Sequence, residues 1–131
     1  MSYLLIALGG AIGSVARYWC SLAVAAVVGG EFPWGTIAVN VLGSALIGAA
    51  FGAVEPGSRW SIASGTREFI NQFFMIGVLG GFTTFSAFSL QTLNLLRAQE
   101  WLQAGANVLL SVTLCLIAVW IGYIATTSLN R

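Results

Sequence analysis

Four long apolar runs separated by short connectors leave this chain of 131 residues little choice of architecture. A helix that crosses a bilayer needs roughly 20 largely apolar residues. The stretches 3–28, 34–54, 66–97 and 101–128 are each long enough. Composition agrees, with 58% hydrophobic and 7% charged residues and neither lysine nor histidine. The expected fold is therefore all-α integral membrane, one transmembrane domain of four helices over residues 1–131. The connectors are too short for a soluble domain, so no separate enzymatic domain is expected and the chain reads as not an enzyme.

Other classes fall away in turn. The first run is too long for a cleaved secretory signal, begins without a basic segment and carries Arg17 in its middle, so it is expected to be retained. Cys20 and Cys115 both fall in apolar runs without a CxxC or Cys/His pairing, which suggests buried thiols and no metal or redox site. A net charge of +1 on so few groups makes no basic patch, and nucleic acid is not an expected partner.

The turns are marked by Gly29, Gly30 and Pro33, by Pro56, Gly57 and Ser58, and by Arg97 to Glu100. Trp34, Trp60, Trp101 and Tyr123 lie near span ends, where amphipathic aromatics favour the headgroup zone. Cytoplasmic loops normally carry the arginine excess. Here Arg59, Arg67 and Arg131 fall on one side and Arg97, with Arg17, on the other, so the bias is weak. Insertion in both directions and a topology fixed by other features both remain open. No internal repeat is apparent, and two-fold symmetry would have to come from pairing two copies.

The helices carry small and polar faces. Gly9, Gly13 and Arg17 recur every four residues, as do Asn40, Ser44, Gly48 and Gly52, so each set lies along one side of a helix. Small residues allow close packing in membranes, which accounts for the glycines but not for Arg17 or Asn40. An ionised side chain deep in a span is costly unless it faces a cavity or a counter-charge. Every glutamate falls in or beside a connector, so Arg17 is a candidate anion attractor, with snorkelling to the surface or holding helices together as the structural alternative. Asn40 and Thr36, one turn apart, offer hydrogen-bond donors, and Asn107, Ser111 and Cys115 form a polar stripe on the last helix. That stripe reads equally as an anion track and as interhelical glue.

The segment Gly80 to Ser89, GGFTTFSAFS, interrupts the third run with glycines, hydroxyls and phenylalanines, and a break is expected at 80–84. Lipid offers no hydrogen bonds to opened backbone, so such a break survives only against protein, water or an ion. Freed carbonyls would suit a cation, whereas the N-terminus of the following half-helix would suit an anion. Phe85 and Phe88, three apart, share a face; their positive ring edges can meet a small dehydrated anion if they are turned toward it.

Taken together, GGAIGSVARY in the first helix, GTIAVNVLG in the second and GGFTTFSAFS in the third closely resemble the Fluc, or CrcB, family of fluoride channels. The resemblance covers the whole chain. It implies an antiparallel, dual-topology homodimer in the bacterial plasma membrane, with two separate fluoride paths. It also implies a sodium ion at the dimer centre, held by backbone oxygens of Gly80 and Thr83 from both subunits. The family's pore phenylalanines match Phe85 and Phe88, its pore asparagine Asn40 and its first-helix arginine Arg17. Its fourth-helix track matches Asn107, Ser111 and Cys115 by position, although that track more often carries hydroxyls. The expected function is passive fluoride export that protects against fluoride toxicity.

Two rivals come from other classes. A small dual-topology, proton-coupled exporter would need an intramembrane group to carry protons, usually a carboxylate, and every glutamate here falls in or beside a connector. A non-transporting assembly subunit would use the glycine faces alone and leave the donors and the break without a purpose.

Overall fold

In the computed structural model of the chain, which describes residues 2–55 and 62–129, the apolar runs are helical. They form α1 (Ser2–Val28), α2 (Trp34–Val54), α3 (residues 64–82), α4 (Phe85–Arg97) and α5 (Trp101–Leu129). Both α3 and α4 belong to one span, Ser64–Arg97, giving four spans long and apolar enough to cross a membrane among the described residues. The turn at Pro56, Gly57 and Ser58, together with Arg59, Trp60 and Arg131, lies outside the described residues.

The helix ends follow from local chemistry. Gly29, at φ +85°, sits in the left-handed region and bonds back to the Ala25 carbonyl at 2.9 Å, which stops α1. After Pro33, which has no N–H to satisfy, α2 begins at once. At the end of α4, Gln99 adopts φ +64° while Glu100 N–H reaches the Leu95 carbonyl at 2.9 Å and Gln99 N–H the Leu96 carbonyl at 3.0 Å. That paired closure lets α5 start immediately, at Trp101.

The third span departs from simple α-winding. It is α-helical over Ser64–Phe69, π-wound over Ile70–Leu79 and α-helical again over Gly80–Phe82. The Gly80 N–H accordingly reaches back to the Met75 carbonyl, five residues earlier. Such winding is rare and gathers at functional sites. Thr83 (φ −77°, ψ 157°) and Thr84 (φ −152°, ψ 113°) are then extended, and α4 starts afresh at Phe85.

Close glycine packing joins the helices into two pairs. A Cβ on Gly48 would collide with the Val119 carbonyl, and one on Gly122 with the Ala45 carbonyl, so α2 and α5 touch backbone to backbone. Gly9 and Gly13 meet the Phe73 and Val78 carbonyls in the same way, joining α1 to α3. In each case the alternative residue would force the helices apart. Val39, Ile37, Leu79 and Ala104 fill the space between, whereas Tyr18, Trp19, Leu102, Leu109 and Trp120 point outward, as a surface bathed in lipid chains requires. Tyr123 donates from α5 to the Glu55 carboxylate at 3.1 Å, tying the α5 end to the foot of α2.

Candidate functional site

The extended pair Thr83–Thr84 is held open by one side chain. Asn40 Nδ2 donates to the Thr84 carbonyl at 3.0 Å, and the Thr84 N–H donates to Asn40 Oδ1 at 2.8 Å. The carboxamide thus pairs with Thr84 as a neighbouring strand would, meeting backbone groups that lipid cannot satisfy. One of the two Nδ2 hydrogens goes to this clamp, and Asn40 also lines the adjoining cavity. Thr84 also caps α4: its Oγ1 accepts from the Ala87 N–H at 3.2 Å.

Beside the clamp lies a cavity of about 380 Å³, open on one side. Asn40, Gly43, Ser44 and Ile47 line it from α2, Gly80, Thr83 and Thr84 from the interrupted segment, Phe85 and Phe88 from α4, and Ser111, Val112, Cys115 and Leu116 from α5. Among the described residues, no carboxylate or arginine is in this lining. The two phenylalanine rings stand 5.2 Å apart, tilted at 51°. Phe88 is buried at 8% exposure, but Phe85 is 76% exposed, and Gly80 and Ser86 are exposed beside it. A second cavity of about 440 Å³ shares Phe85, Phe88 and Val112 with the first and continues past Ser89 and Thr92.

Of the residues singled out from sequence, Asn40, Gly80, Thr83, Phe85, Phe88, Ser111 and Cys115 therefore meet at one cavity. Three others stand apart from it. Thr36 is buried at 6% exposure within the packing of α2. Asn107, 1% exposed, lies behind Ser111, accepting from the Ser111 hydroxyl at 3.4 Å and donating to Thr92 Oγ1 at 2.9 Å. Arg17 reaches the break from α1, its Nη1 donating to the Thr83 carbonyl at 3.5 Å. Among the described residues, the charge of Arg17 is thus met by a backbone oxygen.

The chemistry of the break suits a hard cation in ligand type. In an unbroken helix the Thr84 N–H would bond the Gly80 carbonyl; here it goes to Asn40, so that carbonyl loses its helical partner. The Thr83 carbonyl, beyond the end of the α-helical turn, is met at long range by Arg17. Two oxygens from one chain are too few to enclose a sodium ion, and the Arg17 contact falls on one of them. Of the other polar side chains in the lining, Asn40 has a second amide hydrogen and Ser44 and Cys115 have a hydroxyl and a thiol, whereas the Ser111 hydrogen goes to Asn107 Oδ1 at 3.4 Å.

Sequence reasoning did not single out Thr84 as the group Asn40 holds, nor Thr92 as the partner of Asn107. A signal existed for Thr92, which stands one turn after Phe88 on the same helix face. For Thr84 the only signal was its place inside the interruption.

The family described as CrcB-like protein, Camphor Resistance (CrcB), matches residues 4–123. A relative from Paramagnetospirillum magneticum named fluoride-specific ion channel FluC is 50% identical over 131 residues, covering 100% of this chain and 99% of its own length. Proteins of the same name from Opitutus terrae and Rhodospirillum rubrum are 55% identical over 128 residues and 49% identical over 131, covering 94% and 98% of their own lengths. Four spans and relatives of this closeness make the chain a multi-pass bacterial membrane protein, and it belongs to the CrcB family.

Proposed function

We propose that this chain is a fluoride-selective channel of the bacterial plasma membrane, exporting the anion passively and so giving resistance to fluoride. The observation that carries this reading is the uncharged cavity in which Asn40, Ser111, Cys115 and the rings of Phe85 and Phe88 converge on opened backbone. The names of full-length relatives support it. Fluoride is a small, strong hydrogen-bond acceptor, so closely spaced donors can replace its water, while larger chloride fits the same donors poorly. Fluoride that enters as the uncharged acid dissociates at cytoplasmic pH, and a negative-inside potential then drives the anion out. No bond in a substrate is made or broken, so the protein is not an enzyme on this reading.

The finer assembly follows from exposure. Gly80, Phe85 and Ser86 lie at the surface beside interrupted backbone, an arrangement that bare lipid penalises. A second copy covers that face, and the balanced arginines favour an antiparallel pair with one path on each copy. On this reading the interrupted third helix serves both ions. Gly80 and Thr83 from the two copies hold a sodium ion with their carbonyl oxygens, and its charge lowers the cost of an anion in the bilayer.

The test is anion efflux from liposomes containing the purified chain, loaded with potassium fluoride or potassium chloride and treated with valinomycin. Rapid fluoride loss with negligible chloride loss is expected; a folded protein that releases no fluoride would end the proposal. Phe85→Ile is expected to abolish fluoride efflux with little effect on the fold of each chain, because the ring is 76% exposed. Normal efflux through that variant would remove Phe85 from the path. Purification in choline in place of sodium is expected to depress efflux reversibly, and unchanged efflux would count against a resident sodium ion.

A proton-coupled exporter is less consistent with the site. Glu31, Glu55, Glu68 and Glu100 all stand outside the cavity lining, in connectors or near span ends. Uphill transport driven by a pH gradient in the same liposomes would restore that rival.

A further inference from the structure

Three hydrogen bonds run in one sense from the cavity wall of α5 to the backbone of α4. The Ser111 hydroxyl donates to Asn107 Oδ1 at 3.4 Å, Asn107 Nδ2 donates to Thr92 Oγ1 at 2.9 Å, and the Thr92 hydroxyl donates to the Phe88 carbonyl at 2.8 Å. The direction is fixed by the inventory of protons. Thr92 has one hydroxyl hydrogen, which goes to Phe88, so toward Asn107 it can only accept and must face the amide nitrogen. Asn107 is 1% exposed, Ser111 6% and Phe88 8%, while Thr92 is half-buried at the wall of the 440 Å³ cavity, so the Ser111–Asn107 end of the chain of bonds is buried and its Thr92 end is partly so.

A threonine that bonds the carbonyl four residues back tilts that carbonyl and bends its helix locally. Here the tilted carbonyl belongs to Phe88, whose ring lines both the 380 Å³ and the 440 Å³ cavities together with Phe85 and Val112. The ring therefore stands where the two cavities adjoin. We infer that Thr92 and Asn107 are positioning residues that hold the Phe88 ring in register with Ser111 and thereby set which anion passes between the chambers. The inference rests on reading the cavity as an anion path. It assigns roles to Thr92, which lines only the far chamber, and to Asn107, which lines neither.

The experiment compares wild type, Thr92→Val and Thr92→Ser in the same liposome efflux assay, scored as fluoride and chloride rates per monodisperse protein. Valine keeps the volume of threonine but neither donates to Phe88 nor accepts from Asn107. Fluoride efflux is expected to fall by about tenfold, the usual scale for losing a buried hydrogen bond, with a matching fall in the fluoride-to-chloride ratio. Serine restores the hydroxyl and is expected to restore both values. If Thr92→Val is not monodisperse, Thr92→Ala, which breaks the same bonds without added bulk, carries the same expectation. An unchanged ratio in the valine or alanine variant would overturn the inference, because a merely structural role lowers the amount of working protein without altering selectivity. Absence of fluoride efflux from wild type would instead overturn the anion-path reading, and the inference with it.

Discussion

Replacing Asn40 with aspartate is expected to abolish fluoride efflux and to lower the stability of the folded chain. The Thr84 N–H would keep its acceptor, since Oδ1 at 2.8 Å survives the change. On the other side, the Nδ2 donor at 3.0 Å from the Thr84 carbonyl would become a second carboxylate oxygen facing an oxygen. Leaving a buried carbonyl without its donor costs about 1–3 kcal/mol. An ionised aspartate at membrane depth adds about 3 kcal/mol on insertion scales. The cavity that Asn40 lines would also gain a negative charge, which repels an anion. A barrier raised by about 3 kcal/mol slows passage by roughly a hundredfold, so efflux should fall to the leak of empty liposomes. Heating in detergent followed by size-exclusion chromatography would read the stability change. An Asn40→Asp protein with wild-type efflux and wild-type heat tolerance would mean that the clamp neither holds the break nor borders the path.

The clamp also marks the limit of what could be read from the sequence. The spans were legible because membrane crossing is a condition on length and polarity, and the ends of α1 and α4 were legible because Gly29, Pro33 and the Arg97–Glu100 segment punctuate them. The small faces were legible too: Gly9 and Gly13 meet α3 backbone, and Gly48 and Gly52 meet α5. A polar side chain in an apolar run announces that it has a partner, but its spacing does not say which. The sequence marks Asn40 as a donor, but not that one of its amide hydrogens and one oxygen lone pair go to Thr84, forty-four positions away. Asn107 was read as one rung of a track, yet it faces Thr92 behind the rung that Ser111 supplies. The π-winding of Ile70–Leu79 left no trace, because beyond Asn71 and Gln72 the run is apolar throughout and has the same appearance at either helical period.

Two glycine-to-alanine changes in α5, identical in chemistry, are expected to have opposite results. Nothing lies within 4 Å of a Cβ built on Gly105, so Gly105→Ala adds only helix propensity, worth up to about 1 kcal/mol in favour of the fold. At Gly122 the added carbon would coincide with the Ala45 carbonyl, with the Ala45 carbonyl carbon at 2.9 Å and the Ala49 nitrogen at 3.0 Å. All three obstacles are backbone atoms of α2, which no change of rotamer can move. Overpacking of this kind typically costs about 1–3 kcal/mol, and more where backbone must shift. Function is expected to suffer with stability, because α2 carries Asn40 and Gly43 into the cavity while α5 carries Ser111 and Cys115. Prising the two helices apart by even part of a methyl radius changes the distances among the donors, which a path selective for a small anion cannot absorb. In detergent, Gly122→Ala should lose its monodisperse peak at a lower temperature than wild type and show reduced fluoride efflux, with Gly105→Ala equal to wild type or better in both. Equal behaviour of the two variants would mean that α2 and α5 do not meet backbone to backbone, and that the cavity is not framed by their contact.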